Sequence, residues 1–562
     1  VRADSVSRMI RLLLAFLALL LPSALAAQGV VSSADPRATQ AGQEILRQGG
    51  SAADAAMAMM LALTVVEPQS SGIGGGGFFV HHDAATGLTD TVDGREKAPM
   101  AATPERFLRA DGTPIPWPDR YPGGLSVGVP GNIRLMERVH ARWGKLPWAA
   151  LFQPAIRLAD QGFEVTRPLA GISAWGVKQW EDFPEIARLY TDDGRPLRQG
   201  QRIRNPALAD LLRDIAKDGP DAFYTGETAR EIVEAVAEAP MNRADMTLAD
   251  LAAYEAKDRP AVCSRYREYK LCGMGPPSSG ATTVFQILGM LERFDMKALG
   301  KDSPEAWHLI AEAMMLAYAD REKYLGDRDF VPVPVAGLLD PGYMAKRSKL
   351  IGRKTSLASY DAGTPPGAEP RTAAVQPDVP GTTHFVAVDG EGDVVSMTST
   401  VEGPFGSQLV ARGLVLNNEL TDFTAAPELN GAPVANRVQP GKRPLSSMSP
   451  TIVYDADNRP ILALGSAGGK RIIMHVAKTL IGVLDWGLPA EAAIALPNIY
   501  FAGEAVQVEA GTPLAERLPE LARFGRTVIA SDLGSKVNAV ERTADGWRGA
   551  ADPRGIGTSL EQ

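Results

Sequence analysis

The chain has 562 residues, with 58 Lys and Arg against 66 Asp and Glu, a formal net charge of −8, and 45% hydrophobic to 22% charged residues. This is ordinary globular composition, which excludes disordered and fibrous architectures, and without a basic excess neither nucleic acid nor an anionic membrane surface is the expected partner. Two Cys exclude a cysteine-rich zinc or iron–sulfur framework, and six scattered His leave little room for a catalytic metal cluster.

Residues 1–26 read as a secretory signal peptide. Arg2, Arg8 and Arg11 precede the apolar run Leu12 to Leu21, and Ala24-Leu25-Ala26 supplies the small residues of a cleavage position. Cleavage near Ala26 predicts an exported protein, periplasmic or secreted, carrying 55 basic and 65 acidic residues, hence a net charge of −10. Asp35-Pro36 is an N-cap followed by Pro at the first helical position, and the helical run to Gln48 stops at Gly49-Gly50. Ser51 caps a second helix with Asp54 three residues on, and its body from Ala55 to Val66 is apolar all round. Such a helix belongs inside a layered domain. The Gly-rich stretch Ser70 to Gly77 then enters a strand, Phe78 to His82.

Three familiar motifs fail on context. Gly72, Gly74 and Gly77 match G-x-G-x-x-G, but the order is helix to strand, the reverse of a dinucleotide site. Gly465-Ser466-Ala467-Gly468-Gly469-Lys470-Arg471 is one residue short of a phosphate loop and lacks the hydroxyl after Lys. Gly124 to Gly128 fits G-x-S-x-G by letter, yet Pro130-Gly131 interrupts the turn a nucleophile elbow needs.

Helical patterns dominate from Asn132 to about Leu325, with Pro/Gly punctuation around 116–131 and 273–280. Within them lies a hairpin, Val262 to Cys272. A two-residue turn at Arg267-Glu268 sets 266 opposite 269 and Cys263 opposite Cys272 at a non-hydrogen-bonded pair, where side chains approach closest. In an oxidising compartment a cross-strand disulfide is one reading; two buried free thiols are the other. Residues 353–381, rich in Pro, Gly, Ala and Thr without periodicity, read as an exposed connector.

After the connector the pattern turns to strands. Thr382 to Val388 and Val394 to Thr400 flank the acidic turn Asp389-Gly390-Glu391-Gly392-Asp393. A hairpin symmetric about Glu391 sets 388 against 394 and Thr382 against Thr400, so two hydroxyls meet at its open end. With His, metal and cofactor chemistry all weak, a nucleophile that brings its own base is attractive. An N-terminal Thr does this, its amine taking the place of His.

Asp35-Pro36-x-Ala38-Thr39-Gln40-Ala41-Gly42, Gly49-Gly50-Ser51-Ala52-x-Asp54-Ala55-Ala56 and Val66 to Phe78 resemble the amino-terminal signature of the gamma-glutamyltransferase family. The likeness continues in order through Pro276-Pro277-Ser278-Ser279-Gly280, Thr382-Thr383-His384-Phe385, Leu416-Asn417-Asn418-Glu419-x-x-Asp422-Phe423, Lys442 to Thr451, Gly465-Ser466-x-Gly468-Gly469 and Asp552-Pro553-Arg554. It implies an α+β fold, the four-layer αββα sandwich of the N-terminal-nucleophile hydrolases. It also implies a proenzyme cut between Gly381 and Thr382 into a large subunit, 27–381, and a small one, 382–562, together forming one intertwined catalytic domain without cofactor or metal.

The implied roles map residue by residue. Thr382 is the nucleophile and new N terminus, Thr400 orients it, and Gly468 and Gly469 supply oxyanion-binding amides. Arg95, in Asp93-Gly94-Arg95-Glu96, takes the substrate carboxylate with Ser446 and Ser447, while Glu419 and Asp422 hold the α-amine. A γ-glutamyl compound such as glutathione would acylate Thr382, and water, an amino acid or a peptide would accept the acyl group.

Two departures stand out. Glu402 occupies the place where well-known members carry Asn, adding a third carboxylate near the ammonium. The segment from Phe423 to Pro444 is short for the usual lid and has no Tyr, which predicts a more open site that favours hydrolysis. An acylase of the same fold acting on a non-glutamyl amide, such as a cephalosporin side chain, and a non-catalytic exported binding protein are the alternatives.

Overall fold

The structure, a computed structural model, describes residues 29–376, 379, 381–502 and 505–562. The expected signal peptide lies outside the described residues. Among those described, no helix is long and apolar enough to cross a membrane.

In chain order, the strands of the two principal sheets are β1 (Val30–Ser33), β2 (Gly76–His82), β3 (Thr89–Gly94), β4 (Lys257–Pro260), β5 (Val262–Tyr266), β6 (Tyr269–Gly273), β7 (Thr383–Val388), β8 (Val394–Thr400), β9 (Thr451–Tyr454), β10 (Pro460–Gly465), β11 (Asn538–Thr543), β12 (Gly546–Ala551) and β13 (Thr558–Glu561). A seven-stranded sheet has the order β13-β1-β7-β8-β2-β3-β4, and a six-stranded sheet β12-β11-β10-β9-β6-β5. Neighbours within both are antiparallel. The larger sheet contains strands from both sides of residue 382, and β1 is interleaved between β13 and β7.

The two sheets face one another, and each is covered outside by helices. Along β7, Phe385 and Ala387 pack with α1 (Pro36–Arg47) and α2 (Ala52–Val66), while Val386 and Val388 join the core shared with the second sheet. Both faces of β7 and β8 are buried, so no exposed polar face alternates with an apolar one, and their polar residues, such as His384, Ser396 and Thr398, are buried too. The outer helices of the second sheet include α3 (Gly280–Leu291), α4 (Pro304–Tyr324) and α5 (Arg471–Leu484). The result is the αββα sandwich that the family resemblance implies.

Helix α2 is buried at every position, as its unbroken apolar run predicts. Its N terminus carries a reciprocal capping box: the Asp54 amide donates to Ser51 Oγ and the Ser51 amide to Asp54 Oδ2, both at 3.1 Å. The acidic hairpin turn is tied to the same helix, since Asp389 Oδ2 accepts from the Ala52 amide at 2.9 Å.

Cys263 and Cys272 are directly opposite across β5 and β6 and are bonded to each other, with Cα atoms 4.1 Å apart. The connector differs from expectation. The described residues of 353–381 form no helix or extended strand, but Ala374, Gln376 and Val379 are buried. Composition alone suggests exposure there; burial comes from partners far away in sequence, described next.

Candidate active site

Three loops and the open end of a hairpin converge at the mouth between the sheets. The β7–β8 register pairs Val388 with Val394 and Thr383 with Ser399, which brings the preceding Thr382 to Thr400. Their hydroxyls meet: Thr382 Oγ1 donates to Thr400 Oγ1 at 3.1 Å. Thr400 Oγ1 also accepts from the Glu402 amide at 2.7 Å, which holds that hydroxyl in place beside Thr382.

Thr382 is nearly buried and has φ +85, a left-handed conformation. For a β-branched residue this is a genuine outlier, costing on the order of 1–3 kcal/mol and held only by what surrounds it. Its amide donates to the Ser70 carbonyl at 3.0 Å, and the same oxygen accepts from Val401 at 3.2 Å. A Cβ on the preceding Gly381 would fall 1.5 Å from the Glu402 carbonyl oxygen, so only glycine fits there. The Gly-rich stretch before β2 is used in the same way: a Cβ on Gly75 would fall 1.9 Å from Thr400 O. Its glycines allow this close backbone approach.

The loop joining β10 to α5 supplies the opposing wall. Gly468 and Gly469 have φ +123 and +60, and the Gly468 amide donates to the carbonyl of Gly381 at 3.0 Å. This loop runs into the N terminus of α5, where the helix dipole favours negative charge; the Arg471 and Ile472 amides turn back onto the carbonyls of Gly468 and Gly469, each at 3.2 Å. Behind it, buried His475 bonds Ser466 Oγ at 3.0 Å through Nδ1, and burial holds its pKa well below the usual range. Burial likewise pushes His384 down to about 3. Both rings are neutral packing elements at ordinary pH.

On the far side sits a buried charge cluster. Arg95 pairs through Nη1 with Glu419 and through Nη2 with Asp422 at 2.5 Å, and donates to the carbonyls of Pro444 at 3.2 Å and Leu445 at 3.1 Å. Burial opposes its charge, but Glu419, Asp422 and Glu96 outweigh that and raise its pKa. Glu96 is pushed up to about 7, chiefly by burial against the opposing pull of Arg95. Burial also raises Glu402 and Glu419 well above the usual carboxylate range, with Asp422 adding to the effect at both. Glu402 itself has φ +74 and accepts from Asn418 Nδ2. In the intact chain, then, the two groups expected to hold an α-amine are paired with the group expected to hold its carboxylate.

Thr382, Thr400, Arg95, Glu402, Glu419, Asp422, Ser446, Ser447 and Gly469 all line one cavity, with Gly468 just behind. The Ser446 backbone is held by the Pro276–Ser279 loop, with Ser279 N to Ser446 O at 2.7 Å and Ser446 N to Pro277 O at 3.0 Å. Ser447 Oγ accepts from Arg321 Nη2 at 2.9 Å. The cavity measures about 30 Å³, whereas small-molecule pockets run to roughly 300–1,000 Å³.

What closes it is the connector. Val379 forms part of the wall, and Gln376 is clamped beside it. The Gln376 side-chain amide donates to the carbonyls of Asp422 at 2.6 Å and Leu445 at 3.1 Å, its oxygen accepts from Arg321, and its backbone carbonyl accepts from Lys470 Nζ at 2.7 Å. Sequence reading missed Gln376, Arg321, Lys470 and Arg120. Arg120 is buried, and burial lowers its pKa against the opposing pull of Glu402 and Asp422. Arg321 sits in the charged run Asp320-Arg321-Glu322-Lys323 at the end of α4, where nothing in the spacing singles it out, and Gln376 left no trace either.

Comparisons with known proteins identify the family. The gamma-glutamyltranspeptidase family profile matches residues 38–561. The chain is 38% identical over 486 residues to the glutathione hydrolase proenzyme of Bacillus subtilis (strain 168), spanning 84% of this chain and 80% of that one. Identity to the glutathione hydrolase proenzyme of Escherichia coli (strain K12) is 37% over 546 residues, spanning 94% and 91%. Among solved structures it is similar to cephalosporin acylase from Bacillus halodurans, with a TM-score of 0.84 at 28% identity and 95% and 96% coverage.

Proposed function

Because the chain belongs to the gamma-glutamyltranspeptidase family and is an enzyme of the N-terminal-nucleophile hydrolase type, we propose that it cuts itself between Gly381 and Thr382 and then works as a glutathione hydrolase and γ-glutamyl transferase. The observation that carries this reading is the Gly381 carbonyl hydrogen-bonded to the Gly468 amide while the adjoining Thr382 hydroxyl bonds Thr400. Thr382 Oγ adds to the Gly381 carbonyl carbon, the Gly468 amide takes the charge on its oxygen, and the C–N bond breaks as the amine is protonated. Water then hydrolyses the Gly381–Thr382 ester, leaving the Gly381 carboxylate and freeing the Thr382 hydroxyl beside its new amine. In turnover that amine, with an unperturbed pKa of about 7.7–8.0, accepts the Thr382 hydroxyl proton as Oγ attacks a γ-glutamyl carbonyl. Gly468 and Gly469 receive the oxyanion. Once the connector withdraws, substrate carboxylate bonds Arg95, Ser446 and Ser447, and substrate ammonium sits among Glu402, Glu419 and Asp422, separating the pairs of the intact chain. Water or an amino acid or peptide releases the acyl group. The export reading rests on the basic, apolar and small-residue pattern of residues 1–26.

A denaturing gel of purified wild type and T382A tests this. Wild type gives two bands and T382A one; two bands from T382A would remove Thr382 from its role. A second reading, hydrolysis of a non-glutamyl amide, is favoured by the similarity to cephalosporin acylase. It requires faster turnover of glutaryl-p-nitroanilide than of γ-glutamyl-p-nitroanilide.

A further inference from the structure

Behind Thr382, on the side away from the substrate cavity, lies an ion pair that the reaction above does not use. Glu67, at the C-terminal end of α2, is buried, and its Oε2 accepts from Thr383 Oγ1 at 2.7 Å and from Lys536 Nζ at 3.2 Å. Lys536, in the segment before β11, is half-buried and also reaches Ser70 Oγ at 3.2 Å. Ser70 in turn gives its carbonyl to the Thr382 amide. Each member of the pair therefore grips one neighbour of the nucleophile: Glu67 its successor in the chain, Lys536 the residue that holds its nitrogen. The three segments come from sequence positions more than 100 residues apart.

We propose that Glu67 and Lys536 are positioning residues that set the proton affinity of the Thr382 amine, Lys536 lowering it and Glu67 raising it. The inference rests on the reading of Thr382 as a new N terminus. A base working near neutral pH must be mostly unprotonated, and a nearby ammonium disfavours a second positive charge while a carboxylate favours it. Among the described residues, Arg95, Glu402, Glu419, Asp422 and Lys470 line the cavity on the other side of Thr382. His384, two residues along, and His475, beneath the glycine loop, are kept neutral by burial. The cavity groups also meet substrate, so the pair behind Thr382 is the part of its electrostatic surroundings that substrate leaves unchanged.

The experiment is the pH dependence of kcat/KM for γ-glutamyl-p-nitroanilide, whose acidic limb reports the essential base of the free enzyme. It is run on processed wild type, K536M, K536R and E67Q. K536M is expected to move the limb up by on the order of half to one pH unit, E67Q to move it down by a similar amount, and K536R to leave it in place. Unmoved limbs in K536M and E67Q, or displacement of both in one direction, would overturn the proposal. Gln at 67 keeps the shape and still bonds Thr383, so E67Q decides alone should K536M remain a single uncut band. Wild type that stays uncut, or T382A that retains activity, defeats the underlying reading of Thr382 and not the pair.

Discussion

The carbonyl oxygen of Gly381 lies 3.0 Å from the amide nitrogen of Gly468 and accepts its hydrogen bond in the intact chain. On the proposed reaction course, this one amide would serve twice, on the protein's own peptide and then on substrate. The left-handed Thr382 that follows Gly381 is strained where it stands, and breaking the peptide between them relieves that strain.

The packing around Gly381 predicts that G381A remains uncut. A methyl group there meets the Glu402 carbonyl at 1.5 Å, so the peptide must leave the Gly468 amide. Loss of one oxyanion donor typically costs on the order of 10²–10³ in rate. A gel time course should show a single band throughout the period in which wild type is fully processed, with unchanged far-UV circular dichroism.

Gln376 holds the connector against the cavity through its side-chain amide and its backbone carbonyl. Q376A deletes the side-chain bonds, each worth about 0.5–1.5 kcal/mol net, and loosens the scissile segment. Self-cleavage of freshly purified precursor should slow about tenfold. An unchanged rate would mean that the clamp has no part in processing.

Burial lifts Glu96 to about 7 from an ordinary value of 4.5. A raised folded-state pKa means the native state holds a proton that the unfolded chain has lost, so its contribution to stability is full below about pH 4.5 and falls away as pH rises toward 7. The drop in unfolding free energy between pH 4.5 and 8 should therefore be larger in wild type than in E96Q, by on the order of 2–3 kcal/mol, as read from urea titrations. A bound substrate ammonium favours the ionised cluster, so KM for a γ-glutamyl donor should also fall across pH 6 to 8.

Glu402 adds a third carboxylate beside Glu419 and Asp422. A glutaryl group, which has no ammonium, gains nothing from it, whereas a γ-glutamyl group gains a charge-assisted hydrogen bond worth about 1.5–3 kcal/mol. E402Q should lower the ratio of kcat/KM for γ-glutamyl- over glutaryl-p-nitroanilide by about tenfold. A ratio that rises or holds would show that Glu402 does not read the α-amine.

What was legible in the sequence depended on local spacing. The Thr382–Thr400 meeting follows from counting outward along one hairpin, and so does Cys263 against Cys272. The burial of α2 follows from its unbroken apolar run. Contacts between distant segments were not legible in this way: Arg95 meets Glu419 and Asp422 across 324 and 327 residues. Family resemblance named all three as substrate ligands, but their pairing with one another belongs to a site closed by the connector. No periodicity marks Gln376, because a single amide buried among backbone carbonyls needs no neighbours of its own kind.

The position of β1 between β13 and β7 has a consequence for the cut enzyme. Once the Gly381–Thr382 peptide is gone, the two polypeptides remain laced through a common sheet, and parting them requires unzipping β1 from neighbours on both edges along with the core beneath. Dilution should not dissociate them, and activity per molecule should stay constant down to nanomolar concentration. Denatured and separated, they face a bimolecular search with interleaved strands to rebuild, so the processed enzyme should regain activity far less readily than the single-chain precursor.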